Sequence, residues 1–267
     1  MNKKYIKIMK IYINADKFKE SATQTKAELL EICKKENVEI TSNPDESDFI
    51  CSIGGDGTFL KSSHISNNIP VLGINCGTVG YLTDISPKDL KDTVKDLKNN
   101  NYYIEERMMI EGEIITKDST IPINTSLNEI ALSKNVFGVV KFDTIVDGKL
   151  INTYTADGIL ICTPTGSTAY NLSCGGPIVD PTAEIITLTP IAPHTVINRS
   201  IVLSDKSVVE VKITELRENT TAYVLFDGKS IELNSEDIIR IRKSDKITRI
   251  VKLNYQSFID TIREKIK

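Results

Sequence analysis

The sequence predicts a chain of two parts, α/β in its first part and rich in antiparallel strands in its second. Three observations carry this. Up to Asn100, strand-like apolar runs alternate with stretches of helical period, the pattern of a parallel sheet with crossover helices. Beyond Asn101 the texture changes to short β-branched and aromatic runs separated by turns, with Asp-Gly-Lys occurring at 147–149 and again at 227–229. The final stretch, "NYQSFIDTIREKIK", returns to helical period, and its apolar face needs a surface to cover. With 267 residues, the chain can fill two cores.

In order, "YIKIMKIYIN" from Tyr5 to Asn14 reads as a buried strand. Lys19 to Glu36 reads as a helix, with Ala22, Lys26, Leu29, Leu30 and Cys33 at near-helical spacing and no Pro or Gly. A short strand from Val38 to Thr41 follows, then a turn at Asn43-Pro44, a strand ending at Ile53, a glycine loop, a helical stretch to about His64, and the strand "PVLGIN". A helix over about Pro87 to Asn100 begins on Ser86, a good cap, with Pro87 at the favoured first position. Segments such as "MMIEGEIIT", "SIVLSDKSVVEVKIT" and "TAYVLFDGKSIEL" then supply the antiparallel part, and both Asp-Gly-Lys sites read as hairpin turns. Tyr255, Phe258, Ile259, Ile262 and Ile266 form the apolar face of the last helix, which is expected to return to the first part. These readings give one domain of 1–100 plus about 240–267 and a second of 101–239.

Composition narrows the function. Charged residues are 26% of the chain and the net charge is −3, so a nucleic-acid backbone or an anionic membrane is not the expected partner; a small molecule is. The five cysteines are scattered without a CxxC spacing, which excludes a disulfide framework or a zinc site as the reading and favours a reducing cytoplasm. The stretch "MNKKYIKIMKIYINADK" carries lysines inside its apolar run and no small-residue cleavage site, so neither export nor membrane embedding is expected.

Two patches carry chemistry. In "SIGGDGTFLKS" a strand empties into three glycines around Asp56, at the edge of a parallel sheet where open α/β folds bind ligands. Glycines there let backbone N–H groups approach an anion. A carboxylate beside phosphate is unfavourable unless a metal or a reacting hydroxyl intervenes, which makes Asp56 a base or a magnesium contact. The plainer alternative is that Asp56 caps a helix starting near Thr58. The loop matches neither the P-loop nor the GxGxxG fingerprint. The second patch, "TADGILICTPTGSTAYNLSCGGPIVDP", is dense in hydroxyls and glycines, as a sugar-phosphate ligand demands, although the same residues also build ordinary loops. Between the two patches, Asn128-Glu129 opens an apolar run. His64 and His194 lie far apart and read as structural.

With "GGDGT" (Gly54 to Thr58), "NE" (Asn128-Glu129), "DGILICTPTGSTAYNLSCGGP" (Asp157 to Pro177) and "APHTVINRSIVL" (Ala192 to Leu203) following in this order, the chain resembles the NAD kinase family. GGDG alone is shared with phosphofructokinases and some lipid kinases; "TPTGSTAYNLSCGGP" discriminates. The resemblance spans nearly the whole chain. It implies a Rossmann-like α/β domain and a β-sandwich-like second domain, with the last helix back on the first. It implies transfer of a phosphoryl group from ATP or polyphosphate, with Mg2+ or another divalent cation, to the 2′-hydroxyl of the adenosine ribose of NAD. It also implies a cytoplasmic homodimer or homotetramer in which a neighbouring subunit completes the pocket. By the same resemblance Asp56 would orient or deprotonate the hydroxyl, and Gly57 would let the loop approach. Asn128 and Glu129 would contact sugar and base edge, and Asp157 would hold the nicotinamide half. Thr165 and the run Thr168, Ala169, Tyr170, Asn171 to Ser173 would line the dinucleotide, with Ala192 and Lys229 touching it. Thr155 stands where many relatives place Arg or Gly beside the ligand. The competing readings are a GGDG-type kinase acting on a lipid or sugar hydroxyl, and a non-catalytic dinucleotide sensor; intact glycines around Asp56 speak against the sensor.

Overall fold

The structure, a computed structural model, describes residues 8–77, 80–135, 138–195, 198–253 and 257–265. Contacts divide the chain into two compact units, Met1–Glu106 with Thr248–Lys267, and Arg107–Ile247.

The first unit holds β1 (Lys10–Ala15), α1 (Glu20–Lys35), β2 (Glu39–Thr41), β3 (Phe49–Gly54), α2 (Asp56–His64), β4 (Val71–Asn75) and α3 (Leu90–Lys98). Its strands are parallel in the order β2-β1-β3-β4. Every residue of β3 is buried, as a central parallel strand covered on both faces requires. Helix α1 buries Ala22, Thr25, Leu29 and Cys33. That corrects the expected face by about one position: Leu30 and Lys26 are exposed, and Thr25 takes an inward place because its hydroxyl returns a hydrogen bond to the Ser21 carbonyl. At the start of the Pro87 helix the Ser86 side chain accepts from the Lys88 N–H. The first turn, Pro87–Asp89, is 3-10 and α3 proper ends at Lys98.

The second unit holds the remaining strands. They are β5 (Tyr103–Ile115, whose first residues belong to the first unit), β6 (Thr120–Ser126), β7 (Glu129–Lys134), β8 (Val140–Val146), β9 (Lys149–Ala156) and β10 (Gly158–Cys162). After the short helix α4 (Tyr170–Ser173) come β11 (Ile185–Ile191), β12 (Ile201–Ser204), β13 (Val209–Leu216), β14 (Ala222–Phe226), β15 (Lys229–Leu233) and β16 (Ile238–Lys252). One sheet has the antiparallel order β12-β11-β10-β7-β14-β15; in the other, β16, β13, β8 and β9 are neighbours, also antiparallel. Alternation along β8 and β13 turns Phe142, Val209, Val211 and Ile213 into a core shared with Ile130, Ile159, Ile161, Leu188 and Val224 of the first-named sheet. Both Asp-Gly-Lys sites are hairpin turns: φ is +50° and +76° at Asp147-Gly148 and +47° and +88° at Asp227-Gly228, the type I′ geometry.

The last residues of β16 return to the first unit, where Ile250 pairs in parallel with Val71. Helix α5 (Phe258–Lys265) is also in that unit, with the Phe258 ring 6.5 Å from that of Tyr81. Its buried residue is Thr261, whereas Ile259 is 67% exposed, so Ile259 drops out of the expected apolar face. Tyr255 and Ile266 of that face, and residues 5–7 of the expected first strand, lie outside the described residues.

Candidate functional site

In the first unit, β3 runs into α2 through Gly54-Gly55 at the carboxyl edge of the parallel strands. The helix starts at Asp56 with Gly55 as its cap. Asp56 therefore does not cap a helix beginning near Thr58. Its carboxylate instead reaches the segment after β4. Oδ2 accepts from the Tyr81 N–H at 2.8 Å; Oδ1 accepts from the N–H groups of Leu82 at 3.1 Å and Thr83 at 3.3 Å, and from the Thr83 hydroxyl at 3.2 Å. Gly80 makes this approach possible, because a Cβ there would run into the carboxylate and the Thr83 hydroxyl. An acid in the first turn also suits the helix N-terminus. Among the described residues, Gly57 faces open space, and only the Lys19 ammonium comes within 3.8 Å of where a Cβ on Gly55 would sit. A concavity of about 550 Å³, lined by Met9, Asp48, Phe49, Leu97, Lys98 and Tyr102 among others, lies at the amino ends of β1 and β3, the edge opposite Asp56.

In the second unit, the register pairs Glu129, first residue of β7, with Cys162, last residue of β10. The loop of the second glycine-rich patch begins there and is tied back at once. The Thr163 N–H donates to the Asn128 carbonyl at 2.9 Å, and the Thr163 hydroxyl to the Leu127 carbonyl at 2.5 Å. At Gly166 any Cβ would strike the Asn128 carbonyl, so this glycine serves close packing. Thr165 is buried and accepts from the Arg107 guanidinium at 3.2 Å. Asn171 has no exposed surface: its amide donates to the carbonyls of Ser167 and Pro177, both at 3.1 Å, and its carbonyl oxygen accepts from the Thr189 hydroxyl at 2.7 Å. Thr168 is half-buried, Ser173 is exposed, and Ala169 leads into α4.

The Asp227 turn closes on the same end. Its carboxylate accepts from three consecutive backbone N–H groups, Leu127 at 2.7 Å, Asn128 at 3.0 Å and Glu129 at 3.2 Å. Lys229, exposed, opens β15 two residues later. Burial pushes the Glu129 carboxyl up to about 8, with repulsion from Asp227 adding to it. One Glu129 oxygen, Oε2, is buried without a hydrogen-bond partner.

Thr155, Asp157 and Ala192 gather elsewhere, at the opposite end of β10, about 16 Å along the strand from Cys162 at the usual rise per residue. There Asp157 pairs with the Lys134 ammonium at 3.3 Å, the Thr155 carbonyl accepts from the His194 N–H, and Ala192 has φ of +44°. Tyr170 lies between the two ends. Burial raises its phenol, followed by the Cys174 thiol and then by Asp157 and Glu129 together.

Sequence reading missed Gly80 to Thr83, Asp227, Arg107 and Lys134. Asp227 alone carried a signal, but the Asp-Gly pair was fully accounted for by its turn. All five cysteines are free, and among the described residues no cluster of three metal-ligating side chains occurs. Among them too, no helix is long and apolar enough to cross a membrane.

Comparison with known proteins agrees in both units. The ATP-NAD kinase N-terminal domain family matches residues 3–102, and the ATP-NAD kinase C-terminal domain family matches residues 127–253. The NAD kinase of Caldanaerobacter subterraneus subsp. tengcongensis is 37% identical over 225 residues, 83% of this chain and 79% of that protein. That of Lachnospira eligens is 37% identical over 238 residues, 84% and 81%. Among solved structures, yeast NADH kinase complexed with NADH has a TM-score of 0.84 at 25% identity, covering 97% of this chain and 87% of that one. The NAD kinase from Archaeoglobus fulgidus in complex with ATP gives 0.76 at 28%, covering 93% and 94%. This chain belongs to the NAD kinase family.

Proposed function

We propose that the chain transfers the terminal phosphoryl group of ATP, or of polyphosphate, to the 2′-hydroxyl of the adenosine ribose of NAD, yielding NADP. The observation that supports this best is the Asp56 carboxylate, fixed by four donors beside the open Gly57 backbone at the carboxyl edge of a parallel sheet. An alcohol is a poor nucleophile at neutral pH, and in a loose phosphoryl-transfer transition state most help comes from alignment and charge neutralisation. A carboxylate whose position is set by backbone donors supplies alignment.

In this reading Asp56 orients or deprotonates the 2′-hydroxyl. Asn128 and Glu129 take the adenosine ribose and base edge, Thr165, Thr168, Ala169, Tyr170 and Ser173 line the dinucleotide, and Asp157 takes the nicotinamide half. Asn171 contributes by holding that loop, since its amide donates to the Ser167 and Pro177 carbonyls of the loop and its carbonyl oxygen ties it to Thr189 on β11. Thr155, Ala192 and Lys229 stand at the margins of the ligand. A homodimer or homotetramer, in which a neighbouring subunit completes the pocket, would account for the separation of Asp157 and Thr155 from the Glu129 cluster. With no cluster of three metal-ligating side chains among the described residues, a divalent cation would be carried mainly by the phosphates, with Asp56 as a protein carboxylate able to meet it. That cation, Mg2+ in the first instance, would neutralise phosphate charge. Free cysteines are compatible with a reducing cytoplasm.

The test is to incubate purified protein with Mg2+, NAD or NADH, and ATP or polyphosphate, and to measure NADP(H). Product from at least one combination is expected; folded protein yielding none would refute the assignment and favour a dinucleotide sensor.

A further inference from the structure

We propose that Asp227 is a positioning residue for dinucleotide recognition: it fixes the backbone of Leu127 to Glu129 and keeps the Glu129 carboxyl protonated, so that Glu129 meets the dinucleotide as a hydrogen-bond donor. This rests on the NAD kinase reading for its ligand, but not for its account of Glu129.

The geometry is specific. Three consecutive N–H groups converge on one carboxylate, at 2.7, 3.0 and 3.2 Å, and the Asp227 N–H returns a bond to the Glu129 carbonyl at 3.3 Å. Charge-assisted bonds of this kind hold a backbone segment more firmly than neutral ones. The same interaction sets a negative charge against the side chain it positions. Among the described residues, the titratable groups that bear on Glu129 are Asp227 on the β14–β15 turn, Cys162 on β10, and Cys174 and Tyr170 at α4; all are acids. With Oε2 buried and lacking a donor, ionisation would leave a charged oxygen without any partner. A neutral carboxyl avoids this and offers an O–H to a ribose hydroxyl oxygen or an adenine ring nitrogen. A neutral group also avoids placing two carboxylates against a ligand that brings its own phosphates.

Asp147 provides an internal control. It occupies the same position of the same kind of turn, and its carboxylate accepts from the Val208 N–H at 2.9 Å and the Ser207 hydroxyl at 3.2 Å, holding a segment with no part in the candidate site.

The first arm is a 13C-carboxyl NMR titration of glutamate-labelled free protein. One glutamate should titrate near 8. Its signal should be absent in Glu129→Gln and should shift down by about one unit in Asp227→Asn. The second arm measures KM for NAD against pH. Wild type should lose affinity above pH 8. Asp227→Asn, which sets an amide donor against backbone donors, should raise KM about tenfold at pH 7 with kcat within about twofold. Glu129→Gln, whose amide does not titrate, should show no rise of KM above pH 8, whatever its value at pH 7. Asp147→Asn should leave KM unchanged. A Glu129 signal titrating in the ordinary range, an unchanged KM in Asp227→Asn, or a KM in Glu129→Gln that still rises above pH 8 would each overturn the proposal. If Asp227→Asn does not fold, the wild-type titration and Glu129→Gln still decide it. If wild type makes no NADP, the functional reading fails, and the titration alone decides the protonation of Glu129.

Discussion

Replacing Asn171 by alanine tests whether the second patch is held as a rigid loop. The side chain has no exposed surface and ties three polar groups to one amide: two loop carbonyls, Ser167 and Pro177, and the Thr189 hydroxyl on β11. Gly176 packs so closely on it that a Cβ there would collide with the amide. Alanine leaves both carbonyls without this donor, whereas Thr189 keeps Ser200 as a partner at 2.8 Å. At roughly 1 kcal/mol per lost bond and more for each polar group left buried and unpaired, the loss should be about 2–4 kcal/mol. For a chain of this size that lowers Tm by roughly 5–15 °C. Urea unfolding followed by circular dichroism should show a lower midpoint with an unchanged slope, since the surface exposed on unfolding stays the same. The loop is expected to loosen as well, raising KM for NAD. A variant within about 0.5 kcal/mol of wild type would refute the account of Asn171 as the loop's buried anchor.

Three further outcomes are expected. Asp56→Asn should fold and lose turnover by roughly a hundredfold or more, the scale usual for a positioned acid or base; near-normal kcat would remove Asp56 from the chemistry. Glu129→Gln should alter stability with pH. The wild-type carboxyl is raised in the folded chain from 4.5 to about 8, so it favours the folded state fully below 4.5 and that contribution is lost as pH rises towards 8. The variant should therefore match wild type in slope at pH 4 and gain on it up to pH 8, by at most about 5 kcal/mol at 1.36 kcal/mol per unit; parallel stability curves from pH 5 to 8 would contradict the buried neutral carboxyl. Gly166→Ala should destabilise by about 2 kcal/mol or more in thermal unfolding, because its Cβ meets a backbone carbonyl that a rotamer change cannot move.

The fold was legible where local pattern and tertiary role coincide. The mostly apolar and wholly buried β3, the Ser86-Pro87 helix start and the two Asp-Gly turns each announce themselves, because a central parallel strand, a cap and a type I′ turn make demands that few residues meet. Faces were less legible where an amphipathic residue could go either way: Thr25 hides its hydroxyl on its own helix and displaces Leu30 from the core, and Ile259 stays exposed while Thr261 is buried. The site divides along the same line. Asp56 and Glu129 were singled out from their glycine and strand contexts and from the resemblance. Their supports were not, because a backbone N–H donor leaves no mark on residue identity. Tyr81-Leu82-Thr83 and Leu127-Asn128-Glu129 could bear many side chains and still donate. The glycines misled in a different way. Gly166 reads as bare backbone offered to a phosphate, yet it makes room for the Asn128 carbonyl.

Asp56 and Asp227 share one device, a carboxylate accepting from three consecutive backbone N–H groups, and this changes what an asparagine substitution means at either place. Asparagine keeps the shape but sets an amide donor against backbone donors, so it disturbs position as well as charge. At Asp56 the two effects can be separated by asking which oxygen is committed. Oδ1 accepts three hydrogen bonds, from Leu82, Thr83 and the Thr83 hydroxyl, and has no capacity left. Among the described residues, Oδ2 accepts one, from Tyr81, and keeps a lone pair. In the proposed role, a substrate hydroxyl would approach Oδ2, the oxygen with capacity left, while Oδ1 serves as the anchor. The carboxylate that would be unfavourable beside phosphate is thus half structural: the backbone donors that fix Oδ1 offset part of its charge, and the remaining oxygen is aimed by them.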